Sequence, residues 1–277
     1  MCATPCASVS AKRTRTSVEK LKESADTTVE LYELIRDSQP CIVLTGAGIS
    51  TESGIPDFRS PTGIWARYDP MEYASISAFR RDPVKVWDFY ARRLQVLKEA
   101  EPNAAHLALA ELERRGLVQA VVTQNIDRLH ERAGSREVIE VHGSIRTSSC
   151  LACGHREPFE RVVELLPVPA CASCGEILKP DVVMFGELLP EAIGRAFELA
   201  RSAALLLVVG SSLEVYPVAG LPQETLDAGG LLAIVNRGST PYDRQAELKL
   251  DAAAGEVLSE VLAHCKQAQQ AEDLPRS

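Results

Sequence analysis

Four short apolar runs, each preceded by a helical pattern, constrain the fold of this chain more than any other feature of its sequence. The runs occupy residues 41–45, 118–123, 204–210 and 231–236. The first helical pattern begins at about residue 27 and the second spans residues 103–115. The third follows Pro190, and the fourth ends before Gly229. Strands that are apolar throughout and joined by helices form a parallel sheet that is covered on both faces. The sequence therefore predicts an α/β fold with a doubly wound parallel sheet.

Two segments interrupt this alternation and predict a second, smaller domain. Residues 61–99 begin with a Pro/Gly-rich loop and end in a helix expected over residues 82–99, and residues 146–179 carry two cysteine pairs. We expect these insertions to form the small domain. The large domain is then built from residues 27–60, 100–145 and 180–267.

The two ends of the chain differ in composition from the rest. The first 18 residues are rich in Ser and Thr and contain Lys12, Arg13 and Arg15 but no acid. Transit peptides and disordered tails share this composition, and we expect residues 1–26 to be a disordered tail. Residues 268–277 are mostly polar and are expected to form a flexible tail.

Charge and hydropathy argue against two classes of function. The formal net charge is -8, from 30 Lys+Arg against 38 Asp+Glu, whereas a broad nucleic-acid-binding face needs clustered cations. No apolar run approaches the roughly 20 residues that cross a bilayer. We therefore expect neither direct nucleic-acid binding nor a membrane span.

Four of the eight cysteines have the spacing of a metal site. Two C-x2-C pairs, separated by 17 residues, are formed by Cys150, Cys153, Cys171 and Cys174. This spacing is typical of tetrahedral zinc. Four thiolates leave no open coordination position, so the zinc is expected to be structural.

The residues beside these cysteines carry further predictions. Gly154 and Gly175 follow the two pairs, where such a turn often needs a positive φ. His155 is interpreted as a surface residue and not as an additional ligand. Because the cysteines are spaced for a metal and not for disulfides, we expect a reducing compartment, namely the cytoplasm.

A glycine-rich turn directly follows the first apolar run. Gly46, Ala47 and Gly48 have the setting in which backbone N–H groups and a helix N-terminus receive a pyrophosphate. The turn departs from G-x-G-x-x-G because Thr51 replaces the third glycine, and alone it fits an ordinary turn as well as a cofactor loop. Polar residues end other predicted strands, at 124–127, 141–143, 210–212 and 235–237. Together these loops favour a dinucleotide pocket at one edge of the sheet.

Several motifs, taken together and in this order, resemble those of the sirtuin family. The matching stretches are GAGIS at 46–50, SGIPDFR at 53–59, TQNIDRLHERAG at 123–134, EVHGS at 140–144, the four cysteines, FGE at 185–187, GSS at 210–212 and VNRG at 235–238. The resemblance covers most of the chain from about residue 27. It implies a Rossmann-like sheet with a smaller inserted zinc-binding domain, and a cleft between them where NAD and an acylated lysine meet.

The resemblance also implies roles for individual residues. The residues expected to contact NAD are Gly46, Ala47, Gly48, Thr51, Asp57, Phe58, Arg59, Gln124, Asn125, Ile126, Asp127, His142, Gly210, Ser211, Asn236 and Ala254. Asn125 and His142 are the expected catalytic residues, with His142 as the general base. An alternative interpretation makes Asp127 and Arg59 a structural ion pair.

The resemblance places the acylated peptide between two segments, 182–187 and 213–216, which are expected to bind its backbone by β-augmentation. The first segment contributes Phe185, Gly186 and Glu187 to the expected substrate contacts. Acylated proteins are therefore the expected partners.

Tyr90 and Arg93 bear on which acyl group is removed. At positions i and i+3 they leave the same face of the predicted helix, and a phenol beside a guanidinium suits a carboxylate. In a subset of sirtuins a Tyr-x-x-Arg receives the carboxylate of succinyl- or malonyl-lysine, and the small Ala74 falls where that subset widens the acyl pocket. Exposed Tyr and Arg are also common on helices, and other motifs look like those of bacterial deacetylases without this pair.

The function that the resemblance implies is NAD-dependent removal of acyl groups from protein lysines. The acyl groups it implies are acetyl and also succinyl or malonyl. The acyl oxygen is expected to displace nicotinamide from the ribose, after which His142 takes a proton from a ribose hydroxyl. The products are free lysine, nicotinamide and O-acyl-ADP-ribose. Two alternatives use the same pocket: a mono-ADP-ribosyltransferase, and a non-catalytic NAD-sensing module. The missing third glycine disfavours a dehydrogenase.

Overall fold

The computed structural model of the protein describes residues 17–272, and the side chains of residues 27–271. The helices are α1 (Ser17–Asp37), α2 (Pro70–Tyr73), α3 (Ile76–Arg81), α4 (Pro83–Glu99), α5 (Ala104–Arg114), α6 (Leu129–Arg132), α7 (Phe159–Glu164), α8 (Ala192–Ser202), α9 (Leu221–Asp227) and α10 (Ala254–Glu272). The strands are β1 (Cys41–Thr45), β2 (Ala120–Thr123), β3 (Val138–Glu140), β4 (Gly143–Cys150), β5 (Arg156–Pro158), β6 (Leu178–Val182), β7 (Leu205–Val209), β8 (Leu231–Val235) and β9 (Leu248–Leu250). Within the described residues, no helix is both long and apolar enough to cross a membrane.

Six of these strands form one parallel sheet in the order β3-β2-β1-β7-β8-β9. The four predicted apolar runs supply β1, β2, β7 and β8, and every residue of β1, β2 and β7 is buried. The short strands β3 and β9 extend the two edges. The predicted doubly wound, Rossmann-like sheet is therefore confirmed.

Helices cover both faces of this sheet. On one face, α1, α5 and α10 direct buried side chains such as Leu31, Leu109 and Leu258 at β1 and β7. On the other face, α8 and α9 pack against the opposite side chains of the same strands, with Leu199 and Leu221 in the contact. The continuous apolar composition of the central strands follows from burial on both sides.

Both ends of the described chain are more helical than the sequence predicted. The helix α1 begins at Ser17, so residues 17–26 are helical where a disordered tail was predicted, and residues 1–16 of that tail lie outside the described residues. The helix α10 continues to Glu272, so residues 268–272 extend a helix where a flexible tail was predicted, and residues 273–277 lie outside the described range. The apolar spacing of Val18 and Leu21 continues that of the helix predicted from residue 27, which accounts for the earlier start.

The two insertions into the large domain share one hydrophobic core. The strands β5, β4 and β6 form an antiparallel sheet, and α3, α4 and α7 contribute buried side chains to the same cluster. Trp87 of α4 is fully buried there, and its indole N–H donates to the carbonyl of Leu178 in β6 at 2.5 Å. This bond fixes α4 against the strand that leads out of the cysteine-bearing segment.

Candidate active site

The candidate site lies at the carboxyl ends of β1 and β7, which are neighbours in the sheet. The chain leaves these two strands in opposite directions. Thr45 pairs with Val209 at the ends of these strands, and in open parallel sheets such a switch point forms the ligand crevice. Gly46 and Gly210 meet directly beyond the strands: a Cβ built on Gly46 would lie 2.8 Å from the Gly210 carbonyl oxygen. Gly210 also has φ +62°. The glycines are therefore required by the close approach of two backbones.

A cleft of 810 Å³ opens at this point, between the large sheet and the smaller domain. Every residue that was predicted to contact NAD lies in its wall, and so does every residue predicted to contact the substrate except Leu213, which is buried in the core. This volume is in the range of small-molecule and cofactor sites, roughly 300–1,000 Å³. Other wall residues, among them Glu52, Trp65 and Phe89, were not predicted, because nothing in their local spacing distinguishes them from surface or core residues.

His142 presents one ring nitrogen to the cleft. Its Nδ1 lies 3.2 Å from the carbonyl oxygen of Gln124, and since a carbonyl only accepts, Nδ1 is assigned the proton and Nε2 the lone pair. Nε2 has no hydrogen-bond partner among the described residues. Burial, aided by the nearby positive charge of Arg59, lowers the pKa of His142 below its ordinary value. The ring is therefore neutral at pH 7 and can accept a proton.

Asn125 and Asp127 are held by a buried network behind the cleft wall. The Asn125 amide donates to the Gly46 carbonyl and to the Ser50 hydroxyl, both at 3.1 Å. Ser50 in turn donates to the Asp127 carboxylate at 2.7 Å, and the Leu129 backbone N–H donates to the other oxygen at 2.9 Å. Burial raises the pKa of Asp127. With both amide hydrogens engaged, the Asn125 side-chain oxygen is left to accept from a ligand.

The loop after the glycine turn is fixed by Asp57 and Arg59. The Asp57 carboxylate accepts the Ser60 backbone N–H at 2.8 Å. Arg59 pairs with Glu214 at 3.0 Å, across the cleft mouth. The alternative ion pair between Arg59 and Asp127 is therefore not formed.

Residues at the far end of the cleft are arranged around the start of α10. Ala254 opens this helix, and the next backbone N–H, of Gly255, donates to Glu52 at 2.8 Å. The Asn236 amide donates to the carbonyl of Arg237 at 3.0 Å. Thr51, which stands where a third glycine would be, donates its hydroxyl to the Gly48 carbonyl at 2.8 Å and so closes the turn.

Tyr90 and Arg93 of α4 line the cleft, and so does Ala74. The Arg93 guanidinium lies 4.6 Å from the ring centre of Phe58 and 5.7 Å from that of Phe89. Its Nη1 is inaccessible to solvent and has no hydrogen-bond partner, and Arg93 forms no ion pair within the described residues. Burial raises the pKa of Tyr90 to about 12, so its hydroxyl stays protonated.

Two buried histidines lie behind Ser50 and were not singled out from the sequence. His106 and His130 have ring centres 4.8 Å apart, and their exposed fractions are 0% and 1%. His106 Nε2 lies 3.4 Å from the Ser50 hydroxyl, and His130 Nε2 lies 3.0 Å from the Thr45 hydroxyl. Burial lowers the pKa of His106 to about 4 and, with the His106 ring beside it, that of His130 to about 3.

These lowered pKa values predict a loss of stability in mild acid. The unfolded chain binds protons on both histidines below about pH 6.5, whereas the folded protein binds them only near pH 4 and below. The free energy of unfolding should therefore fall by about 2 kcal/mol per histidine between pH 7 and pH 5. Urea denaturation at the two pH values measures this. The variant His106→Gln should show a pH dependence smaller by about 2 kcal/mol, and an unchanged pH dependence would contradict the assignment.

The four predicted metal ligands converge in the smaller domain. Their Sγ atoms all lie within 4.8 Å of one another, with Cys150 and Cys174 at 3.4 Å and Cys153 and Cys171 at 3.6 Å. Tetrahedral zinc with Zn–S bonds of about 2.3 Å places sulfurs about 3.8 Å apart. The cluster therefore fits one structural zinc and leaves no position for a water.

The turns that present these cysteines are alike. Gly154 donates its N–H to the Cys150 carbonyl and Gly175 to the Cys171 carbonyl, each at 2.9 Å. Their φ values are +75° and +79°, which confirms the predicted positive φ. His155 lies outside the cluster and contacts Glu157 at 2.8 Å.

Comparisons with known proteins agree with this geometry. The Sir2 family model matches residues 46–217. An NAD-dependent protein deacylase 1 of Archaeoglobus fulgidus is 44% identical over 240 residues, which cover 86% of this chain and 98% of the relative. An NAD-dependent protein deacetylase of Thermotoga maritima is 46% identical over 224 residues, covering 79% of this chain and 91% of the relative.

Solved structures give the same result at the level of the fold. A Sir2 variant with a deacetylated p53 peptide and 3'-O-acetyl ADP ribose matches with a TM-score of 0.83 and 43% identity, covering 86% of this chain and 98% of that chain. Sir2Tm bound to a propionylated peptide matches with a TM-score of 0.79 and 41% identity, with the same coverage of both chains.

Proposed function

Because this chain belongs to the Sir2 family, we propose that it removes acyl groups from protein lysines with NAD as the co-substrate. The observation that carries the proposal is His142, whose Nδ1 is held by the Gln124 carbonyl while Nε2 faces the cleft. The named relatives are NAD-dependent deacylases and deacetylases, and one structural neighbour is bound to an acetylated peptide. Acetyl-lysine is therefore the first substrate to expect.

Different residues of the cleft would have different roles in this reaction. NAD, when bound, supplies a ribose carbon from which nicotinamide can leave. Gly46, Gly48 and Gly210 would lie against the pyrophosphate, because they line the cleft at the switch point and carry no side chain that would fill it. The Asn125 oxygen would orient the ribose. His142 Nε2 would then take a proton from a ribose hydroxyl, since the ring is neutral and its other nitrogen is fixed.

We further propose that the acyl groups include succinyl and malonyl, and Arg93 supports this. A guanidinium stays charged in a protein, and buried charges are normally paired. Arg93 has neither an ion pair nor an acceptor for Nη1 in the part of the chain that the structure describes. The protonated Tyr90 hydroxyl lies on the same helix face. A carboxylate at the end of the acyl chain would supply the missing partner.

The variant Arg93→Met is expected to lose activity on succinyl- and malonyl-lysine peptides and to keep it on acetyl-lysine peptides. A hydrogen bond to a charged group contributes about 1.5–3 kcal/mol, so kcat/KM for the acidic acyl groups should fall by roughly 10- to 100-fold. Mass spectrometry of the lysine product, with NAD and three peptides that differ only in the acyl group, measures this.

The neighbouring Arg92 offers a matched control. Its side chain is exposed and pairs with Asp88 at 2.9 Å on the outer face of α4, so Arg92→Met should leave all three activities unchanged. Equal losses on all three peptides in Arg93→Met would remove acidic-acyl recognition from the proposal.

If the wild-type protein instead attaches ADP-ribose to protein and releases no O-acyl-ADP-ribose, it is an ADP-ribosyltransferase. Tight NAD binding without turnover would assign NAD sensing.

A further inference from the structure

The segment Val182–Glu187, which we call the arch, lies between the proposed base and the proposed acyl pocket. On one side, the backbone N–H of Val183 donates to the carbonyl of His142 at 2.9 Å. On the other side, Phe185 donates its N–H to the Ala74 carbonyl at 2.8 Å and accepts the Ile76 N–H at 3.0 Å. The position of the arch therefore sets the distance between the base and the acyl pocket.

Lys179, just before the arch, is a buried lysine with all its hydrogens engaged. Its exposed fraction is 6%. The Nζ atom donates to the carbonyls of Pro180 and Val182, at 3.0 and 2.9 Å, and lies 2.9 Å from the Glu187 carboxylate. An ammonium has three hydrogens, so these three acceptors satisfy it completely. Lysine is rarely buried without such pairing.

Glu187, at the other end of the arch, turns its carboxylate inward. The oxygen that pairs with Lys179 also accepts the backbone N–H of Met184 at 2.8 Å. The Glu187 backbone N–H donates to the Met184 carbonyl at 3.0 Å, and Gly186 between them has φ +87°, which lets the chain reverse. Although Glu187 lines the cleft, its carboxylate is occupied within the arch.

We propose that Lys179 and Glu187 are positioning residues that hold the arch ready to pair with the backbone of the acyl-lysine peptide. Lys179 Nζ links the start of the arch, through the Val182 carbonyl, to its end, through the Glu187 carboxylate, which also holds the Met184 N–H. A strand that adds by backbone hydrogen bonds binds well only where those bonds have fixed spacing, and ordering the arch in advance lowers the cost of binding. This inference rests on the proposed deacylase function.

The test compares Lys179→Met, Glu187→Gln and the double variant with the wild-type protein. The dissociation constant of a fluorescein-labelled acetyl-lysine peptide should rise about ten-fold in each single variant. The double variant should bind the peptide no more weakly than the single variant that has the lower affinity, because both substitutions break the same Lys179–Glu187 pair. The affinity for ADP-ribose should stay within about two-fold of the wild type, since neither side chain supports the glycine turn.

A surface pair in the same domain gives a matched control. Lys85 pairs with Glu72 at 2.6 Å, and both side chains are about a third or more exposed, so Lys85→Met should leave peptide affinity unchanged. The conservative variant Lys179→Arg should recover part of the affinity lost in Lys179→Met. If Lys179→Met does not fold, Glu187→Gln alone carries the comparison.

Two results would overturn this inference and leave the proposed function standing. One is unchanged peptide affinity in Glu187→Gln, and the other is a parallel loss of peptide and ADP-ribose affinity, which is the result of a general structural defect. A wild-type protein that binds no acyl-lysine peptide would overturn the proposed function and this inference together. If the wild-type protein binds the peptide, either of the two results above concerns this inference alone.

Discussion

Replacement of His142 by alanine is expected to lower kcat/KM for every acyl-lysine peptide by about 10²- to 10⁴-fold, the usual contribution of a general base. The loss should fall on kcat, while the affinity for ADP-ribose changes little, because the glycine turn and the Asn236 loop remain. In the wild type, burial and Arg59 lower the pKa of the base. The acid limb of the kcat/KM profile should therefore lie below the ordinary histidine value of about 6.5.

A histidine outside the cleft controls for nonspecific effects. His264 lies on α10, where its Nε2 is 3.4 Å from the Thr28 hydroxyl, and His264→Ala should keep wild-type turnover. Lysine product from His142→Ala at more than about a tenth of the wild-type rate would remove the general base from the proposed mechanism. The mass-spectrometric assay that tests Arg93 measures both variants.

Removal of the zinc is expected to unfold the smaller domain and to abolish activity. Structural zinc sites in isolated fingers have binding free energies of about 10–16 kcal/mol, and that binding energy is folding energy. Cys150 and Cys171 are buried in the core that also holds α4, including its Tyr90. The variant Cys171→Ser should therefore contain no zinc and should lose at least roughly 10 °C in Tm, at about 2–4 °C per kcal/mol.

Cys265 is the matched control for this experiment. It is a buried cysteine on α10, outside the four-cysteine cluster, so Cys265→Ser should keep one zinc per chain. Zinc content by mass spectrometry and melting by differential scanning calorimetry distinguish the variants. Full zinc content in Cys171→Ser, or an unchanged Tm after its loss, would contradict a structural zinc at this site.

The large-domain fold could be predicted because its signals are local. A strand buried on both faces must be apolar throughout, so the run at residues 41–45 is visible in the sequence as it stands. The turn of Gly46 and Gly48 and the two C-x2-C pairs are similarly contained in a few consecutive residues. The strand β9 and the start of α1 at Ser17 were missed, because three residues give no periodicity and the tail composition masked the helical spacing.

Site residues were found where a motif contains them and missed where only a long-range contact defines them. His142 stands in a recognisable motif, whereas the carbonyl that orients it belongs to Gln124, in the loop that follows β2. The pairing of Arg59 with Glu214 joins residues far apart in the chain, as does the ring contact between His106 and His130. None of these pairs has a spacing that predicts it.

The sequence by itself determined the four central strands of the large domain, the four zinc ligands and the identity of the loops that meet at the switch point. The tertiary structure alone decided which charges are paired and which are left without a partner. Arg93 and Lys179 are both basic residues in the smaller domain, yet one has a buried nitrogen with no acceptor and the other has three acceptors. The physical reason is that burial and pairing depend on groups that folding brings together from distant positions, whereas strand and ligand spacing depend on neighbours in the chain.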